Sequence, residues 1–301
     1  MGKKKTPGEM DMEKDLIKLM NEIEKHDFKS VNELNDFVSN ITGKKFDDLP
    51  ESTDDKSRSL DLAFQAYEEP VSKGKKLIKE ALRLDPNNAE AYNYLASIEK
   101  DVDKAMKLFE KAIKAGEKTL GKKFFQEEKG HFWGIIKTRP YMRAKAGLAS
   151  CLEVKNETDK AIAIFEEMLE LNPDDNQGIR YFLSTSLLGK NDLTKFKSFM
   201  NKFPKEDCAV WNYNNALYHF KKTGRSTKTE KALRKAYNGN KYVIDYMLGF
   251  KEFPGELPEF IGIGDENEAI MYVYETLGIW NQSEDAFNWL FEFKQKRLKR
   301  N

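Results

Sequence analysis

The stretch that decides the fold is Leu82–Asn88, LRLDPNN, which reappears further along the chain as Leu169–Asp175, LELNPDD. In each copy an apolar, helix-forming segment runs directly into a proline. Proline has no amide hydrogen and disfavours the α-conformation in the residue before it, so a helix ends at that point. The repeated stop predicts two helices in equivalent positions, each followed at once by a new helix.

Small and aromatic side chains recur at fixed offsets around these stops. Residues 105–112 have the pattern A-x3-F-x2-A, and residues 161–168 repeat it as A-x3-F-x2-M. Antiparallel helices approach closely only where small side chains face each other, and an aromatic ring then fills the gap to the next pair. Helix pairs with this spacing and a length of about 34 residues are typical of tetratricopeptide repeats.

The repeated pattern predicts an all-α fold. We expect a right-handed α-solenoid of tetratricopeptide-like helical hairpins, with an N-terminal helical segment and a C-terminal helical cap. The predicted divisions are residues 1–55 for the N-terminal helical segment and linker, 56–240 for the repeats with an insertion at 116–140, and 241–301 for the C-terminal cap.

Composition limits the classes of partner and the compartment. Lys and Arg total 51 against 50 Asp and Glu, so the formal net charge of +1 creates no broad field for nucleic acid or a membrane surface. No apolar run approaches the ~20 residues needed to cross a bilayer, and no signal-peptide core follows the charged start. Cys151 and Cys208 lie far apart, which excludes a disulfide framework and fits a reducing compartment. We therefore expect a cytoplasmic protein without a membrane span.

The sequence contains few residues in the spacings that catalytic or metal-binding sites require. His26, His131 and His219 are widely separated, and none has the spacing of a metal-binding motif. The segment 262–265, GIGD, lacks the strand and lysine of a phosphate loop, and Asp265 suits the N-cap of the next helix. No nucleophile elbow or kinase motif set occurs. We predict no catalytic residue, no metal and no cofactor, and so a protein that is not an enzyme.

Three longer runs carry a family resemblance. Gly130–Gly134 (GHFWG), Thr138–Ala144 (TRPYMRA) and Asn172–Tyr181 (NPDDNQGIRY) are similar to bacterial tetratricopeptide proteins grouped with the suppressor of tumorigenicity 7 family. The resemblance covers roughly residues 61–290 and implies an α-helical repeat fold with a binding role and no catalytic residues. Animal members have membrane-spanning segments near the amino terminus, and this chain has no apolar run of that length.

The binding hypothesis identifies candidate residues. The first helix of each tetratricopeptide pair lines a groove, where inward polar side chains have no packing reason to exist. Basic and amide groups there can grip a peptide carboxylate through charge-assisted hydrogen bonds. Aromatic and basic residues of the insertion can form a wall beside the groove, or can equally pack the insertion against the repeats. We predict a scaffold or adaptor that binds a polypeptide segment in the concave face. The predicted groove residues are Asn93, His131, Trp133, Arg139, Tyr141, Arg143, Asn176, Gln177, Arg180 and Asn214.

An alternative function is binding of RNA or single-stranded nucleic acid. Lys294–Arg300, KQKRLKR, is a basic tail that can contact phosphates. Lys and Arg in a last helical turn also complement the helix dipole, and the net charge of +1 argues against a nucleic-acid partner. The sequence does not specify the partner or the oligomeric state.

Overall fold

The computed structural model of the 301-residue chain describes residues 7–42 and 54–299. Every regular element in this described part is helical, which confirms the predicted all-α fold. None of the helices described has the length and apolar character that crossing a bilayer requires. The chain divides into two compact units, Met1–Ile179 and Arg180–Asn301.

In the described part of unit 1, Met1–Ile179, two N-terminal helices precede three antiparallel hairpins. Its helices are α1 (Pro7–Glu24), α2 (Val31–Thr42), α3 (Asp55–Glu68), α4 (Val71–Leu84), α5 (Ala89–Ser97), α6 (Val102–Glu127), α7 (Arg139–Val154) and α8 (Thr158–Leu171).

The hairpins of unit 1 pair as the repeat spacing predicts. Helix α3 packs on α4, α5 on α6, and α7 on α8. The first helices of successive hairpins also contact each other: α3 contacts α5, and α5 contacts α7. We call the surface formed by α3, α5 and α7 the first-helix face. Helix α1 lies against this face, where it contacts α3 and the 3₁₀ turn Ile136–Thr138 that precedes α7.

Helix ends in unit 1 follow the proline stops. Helix α4 ends at Leu84 and α8 ends at Leu171, as the two repeated segments predict. The next helix after the first stop is capped at once, because the Asn88 side chain accepts a hydrogen bond from the Ala91 amide at 3.0 Å. The first stop therefore also provides a start, whereas a longer turn, residues 172–178, separates α8 from the next helix after the second stop.

Glycine allows the helices to approach closely at two crossings. A Cβ atom at Gly74 would lie 2.0 Å from the Tyr94 hydroxyl and 2.8 Å from the Ala66 carbonyl oxygen. At Gly147 it would lie 2.3 Å from the Phe109 ring. Neither site has room for a methyl group, so these helices can pack this closely only because glycine has no side chain.

The predicted insertion at 116–140 takes the form of a helix extension, a loop and the 3₁₀ turn. Helix α6 continues to Glu127 through a kink at Gly121, whose φ of 78° lies in the left-handed region that favours glycine. The loop is then anchored by Phe132, which is fully buried and whose amide donates to the Leu171 carbonyl at 3.1 Å.

Helix α2 has a well-defined start but little burial. The Glu33 amide donates to Ser30 Oγ at 3.2 Å, and the Glu33 carboxylate accepts from the Lys29 amide at 3.0 Å. None of the described side chains of α2 is buried. Most of the connection predicted at 44–57 lies outside the described residues, and α3 begins within it at Asp55.

Unit 2, Arg180–Asn301, begins within the first turn of α9 and contains a further series of helices. These are α9 (Ile179–Gly189), α10 (Leu193–Met200), α11 (Ala209–Thr223), α12 (Thr227–Gly239), α13 (Tyr242–Met247), α14 (Glu266–Trp280) and α15 (Glu284–Leu298).

Within unit 2, the last two helices pack on the hairpin of α11 and α12. Helix α14 contacts α11 and α15. The Trp289 ring of α15 stacks on Phe220 of α11 with a centroid distance of 4.9 Å, and its Nε1 donates to Glu230 of α12 at 2.8 Å. This places α15 over both helices, in the region where the sequence predicts a C-terminal cap.

Candidate functional site

An arginine buried between two carboxylates lies on the first-helix face of unit 1. One edge of the Arg143 guanidinium, on α7, donates to both carboxylate oxygens of Glu13 on α1, at 3.0 and 3.2 Å. Its Nε donates to Glu90 of α5 at 3.0 Å, and an Nη of the same group also contacts Glu90. Both carboxylate side chains are completely inaccessible to solvent, whereas that of Arg143 keeps 16% of its surface exposed.

Neutral side chains complete the hydrogen bonding around Glu90. The Tyr67 hydroxyl, from α3, donates to the second Glu90 oxygen at 2.9 Å. The Asn93 amide, one turn after Glu90 on α5, donates to Glu90 at 3.3 Å and to the Pro140 carbonyl at 2.8 Å. Glu90 is thereby held by groups from all three first helices.

A second cation borders the cluster. Arg139 Nη1 lies 3.6 Å from Glu13, and its side chain is 23% exposed. Its Nε donates to the Trp133 carbonyl at 3.1 Å, and its guanidinium lies over the Trp133 ring at 5.3 Å from the centroid. We call the set Glu13, Tyr67, Glu90, Asn93, Arg139 and Arg143 the Arg143 cluster.

The electrostatics of the Arg143 cluster keep its central arginine charged. Burial alone would lower the pKa of Arg143, but the charges of Glu90 and Glu13 and their hydrogen bonds outweigh burial and raise that pKa. Burial, followed by the charge of Glu90, raises the pKa of Tyr67 well above its ordinary value. The cluster is therefore a fixed cation that two carboxylates can share, with a tyrosine that stays protonated as a donor.

Four of the ten predicted groove residues meet at this site. Asn93, Arg139 and Arg143 belong to the cluster, and Trp133 stacks against Arg139. The carboxylates that these residues hold were not among the predicted residues. For Glu13 the sequence held a partial signal, because this acidic residue lies on the apolar side of α1, in line with half-buried Leu16.

Other predicted residues of unit 1 have different environments. Tyr141 is buried and packs edge-on against Phe125 with a centroid distance of 5.1 Å, so it holds the end of α6 against α7. His131 is exposed. Asn176, which is exposed, and Gln177, which is half-buried, lie in the turn between α8 and α9.

Arg180 and Asn214 lie in unit 2 and have partners of their own. Arg180 pairs with Glu206 at 3.0 Å and lies over the Tyr181 ring at 4.5 Å. The pKa of Tyr181 is raised by burial and then by its hydrogen bond to Glu206. A cavity of about 300 Å³ adjoins this pair and is lined by Phe203, Glu206 and Trp211, among others.

Asn214 serves a hydrogen-bonded chain inside unit 2. It donates to Thr185 of α9 at 3.0 Å and accepts from the Tyr272 hydroxyl of α14 at 3.1 Å, and Trp280 in turn donates to that hydroxyl at 2.9 Å. Asn214 is almost fully buried. It connects α9, α11 and α14 and presents no accessible polar surface.

Part of the basic tail is held by contacts within the chain. Lys294 pairs with Asp245 at 2.6 Å. Arg297 lies over the Tyr237 ring at 5.0 Å. Lys296 and Lys299 are exposed.

The chemistry available at the Arg143 cluster is recognition of a carboxylate. An arginine fork presents parallel donors that match both oxygens of a carboxylate, as Arg143 does with Glu13. Within the described residues, no group of His, Cys, Asp and Glu side chains is arranged to hold a metal ion.

The chain is thus an all-α helical-repeat protein with a buried arginine–carboxylate cluster on the first-helix face of unit 1. No protein-family profile matches the sequence, and no curated protein matches it. Among solved structures, the chain is similar to YrrB, described as a TPR protein with an unusual peptide-binding site. The two share 19% identity with a TM-score of 0.45, over 67% of this chain and 91% of YrrB.

Proposed function

We propose that the protein is a non-catalytic scaffold that holds a polypeptide segment on the first-helix face of unit 1. The observation that carries the proposal is that this face already holds one helix, α1, through a carboxylate on Arg143. The same guanidinium groups would donate hydrogen bonds to the carboxylate of a partner. We further propose a cytoplasmic setting, in which such a scaffold meets other soluble chains.

The types of side chain in the Arg143 cluster support a binding role and argue against a catalytic one. The pKa of Arg143 is raised by Glu90 and Glu13, so this arginine stays charged and transfers no proton. Tyr67 has a raised pKa, which opposes a role as a general base. The sequence resemblance to bacterial members of the suppressor of tumorigenicity 7 family implies a binding role of the same class.

A selection experiment tests the proposal. A displayed peptide library is panned against the full chain and against its Glu13→Lys variant, whose α1 lacks the carboxylate. We expect the selected peptides to contain acidic residues and to lose ~10-fold or more affinity for Arg143→Glu, because charge reversal removes the donor pair. Arg139→Glu, at a more exposed position, should weaken the same peptides to a smaller extent.

Two controls make the result specific. Arg180→Glu changes a predicted groove residue in the other unit, and Arg234→Glu changes an exposed arginine on α12. Both should leave the affinity unchanged, with folding of every variant checked by circular dichroism. Selected peptides that bind Arg143→Glu and Arg139→Glu as tightly as the parent would contradict the proposal. A salt-sensitive shift with single-stranded RNA and no Arg143-dependent peptide would favour the nucleic-acid alternative instead.

A further inference from the structure

We infer that the partner of the first-helix face is an amphipathic helix with a glutamate in the position of Glu13, and that α1 competes with it for the same face. The inference rests on the proposed function and specifies both the chemistry of the partner and the regulation of the site. Four features of unit 1 support it.

The first feature is the charge left on the face when α1 is absent. Without Glu13 the Arg143 cluster contains one carboxylate, that of Glu90, and two cations, Arg139 and Arg143, so it has an excess of one positive charge. An apolar occupant would bury an arginine edge without a partner, which is unfavourable. Only an occupant that brings a carboxylate restores the balance.

The second feature is the periodicity of the contact surface of α1. Glu13 is buried, and Leu16, Ile17 and Met20 are each partly buried. These residues follow the spacing i, i+3, i+4 and i+7, which is one face of an α-helix. Leu19 adds a buried side chain at the edge of this stripe. The face is therefore shaped for a helix, and an extended chain would present its side chains with a different period.

The third feature is how lightly the N-terminal segment is held. Leu19 is the buried apolar side chain among those described in α1, and no described side chain of α2 is buried. Met12, next to Glu13, is 66% exposed. A helix held mainly through one buried carboxylate and a narrow apolar stripe can be displaced by a partner with a larger apolar face.

The fourth feature is that α1 is tethered to the face that it covers. A tethered ligand acts at an effective concentration in about the millimolar range, so a free partner must bind more tightly to replace it. Weakening α1 therefore raises the apparent affinity of any helix that uses the same contacts. This dependence distinguishes competition from binding elsewhere on the chain.

The experiment uses the full chain and a labelled synthetic peptide with the sequence of residues 7–24. Fluorescence anisotropy measures its binding to the parent chain, to Glu13→Lys, and to the matched control Met12→Lys, which introduces the same side chain at an exposed neighbouring position. A second peptide carries Glu13→Gln, which keeps the shape of the side chain and removes its charge.

We expect the peptide to bind Glu13→Lys ~10-fold or more tightly than it binds the parent, because the competing helix has lost its carboxylate. Met12→Lys should behave like the parent. The Glu13→Gln peptide should bind Glu13→Lys ~10-fold or more weakly than the native peptide does.

Three results would overturn the inference. Equal binding to all three chains would show that α1 does not cover the site. Absence of binding to Glu13→Lys would show that the face does not take a free helix, while an Arg143-dependent peptide from the library would leave the proposed function standing. A parent chain that forms dimers, which Glu13→Lys abolishes, would place α1 on a second copy and remove it as an intramolecular competitor.

Discussion

At the scale of single residues, Arg143 on α7 joins α5 to α1, and the shared Glu90 carboxylate extends the cluster to α3. Its guanidinium contacts Glu90 on α5 and Glu13 on α1, and Tyr67 on α3 donates to the same Glu90 carboxylate. Charged groups with so little access to water are stable only when their partners are all present. The cluster therefore couples the position of α1 to the packing of the first-helix face.

Replacement of Arg143 by methionine should destabilise unit 1 by about 3–5 kcal/mol, because it leaves Glu13 and Glu90 buried without their cation. Urea unfolding followed by circular dichroism measures this change. Adding Glu13→Gln should recover part of the loss, since one uncompensated charge is removed, and a double-mutant cycle gives the coupling. The matched control is Arg83→Met, whose exposed pair with Glu80 is screened by water and should contribute little to stability. Equal effects of the two arginine replacements would contradict this account of the cluster.

At the scale of elements, small residues set how closely the helices of a hairpin approach. Gly74 on α4 faces the Ala66 carbonyl of α3 and the Tyr94 hydroxyl of α5, so three helices meet at one position without a side chain. Gly278 on α14 is also a helical glycine, but a Cβ added there would meet no other atom. The two glycines separate the effect of packing from that of helix propensity.

Gly74→Ala should destabilise the protein by about 1–3 kcal/mol, because the added methyl group must push apart a backbone carbonyl and a buried ring. Gly278→Ala should stabilise it by about 0.5–1 kcal/mol, because alanine loses less backbone freedom in a helix and meets nothing. Thermal unfolding of the two variants beside the parent checks both signs. Stabilisation by Gly74→Ala would show that the α3–α4 crossing is looser than described.

At the scale of the whole molecule, burial is distributed unevenly among the helices. Helix α11 has ten buried residues among its 15, whereas the described side chains of α2 are half-buried or exposed. Local opening requires less free energy where fewer apolar contacts are broken. Local opening of the N-terminal segment should therefore require less free energy than opening of the interior helices of either unit.

Hydrogen exchange measured by mass spectrometry should show this order directly. Amides of α2 should exchange fastest among the described helices, α1 should be intermediate, and α5, α7 and α11 should be slowest. Glu13→Lys should accelerate exchange in α1 and leave α11 unchanged, since α11 belongs to unit 2. Protection of α2 equal to that of α11 would contradict the weak attachment of the N-terminal segment.

Much of the fold was predictable because its determinants are local. Helix ends at Leu84 and Leu171 follow from proline, and the caps at Asn88 and Asp265 follow from short polar side chains that reach the next free amides. Such signals act within a few residues and are visible in the sequence. The extension of α6 through Gly121 was less predictable, because glycine there permits a kink without ending the helix.

The candidate site was predictable only in part. Polar residues on first helices indicated Asn93 and Arg143, because an inward polar group has no packing role in an apolar groove. The same reasoning selected Asn214, which the structure buries in a hydrogen-bonding role. Tyr141 was predicted as part of an aromatic wall or as a packing residue, and the structure buries it in packing. A side chain's type and helix do not reveal whether it reaches solvent or a neighbouring helix.

The sequence by itself determined the helices, their ends and their pairing into hairpins, since proline stops, caps and small-residue spacing act over one or two helical turns. Only the tertiary structure decided that Glu13 meets Glu90 and Arg143, which are far apart along the chain. The reason is that a buried charge selects its partner by position in space. The helix that brings Glu13 is placed by packing against α3 and the turn before α7, and no local pattern encodes that contact.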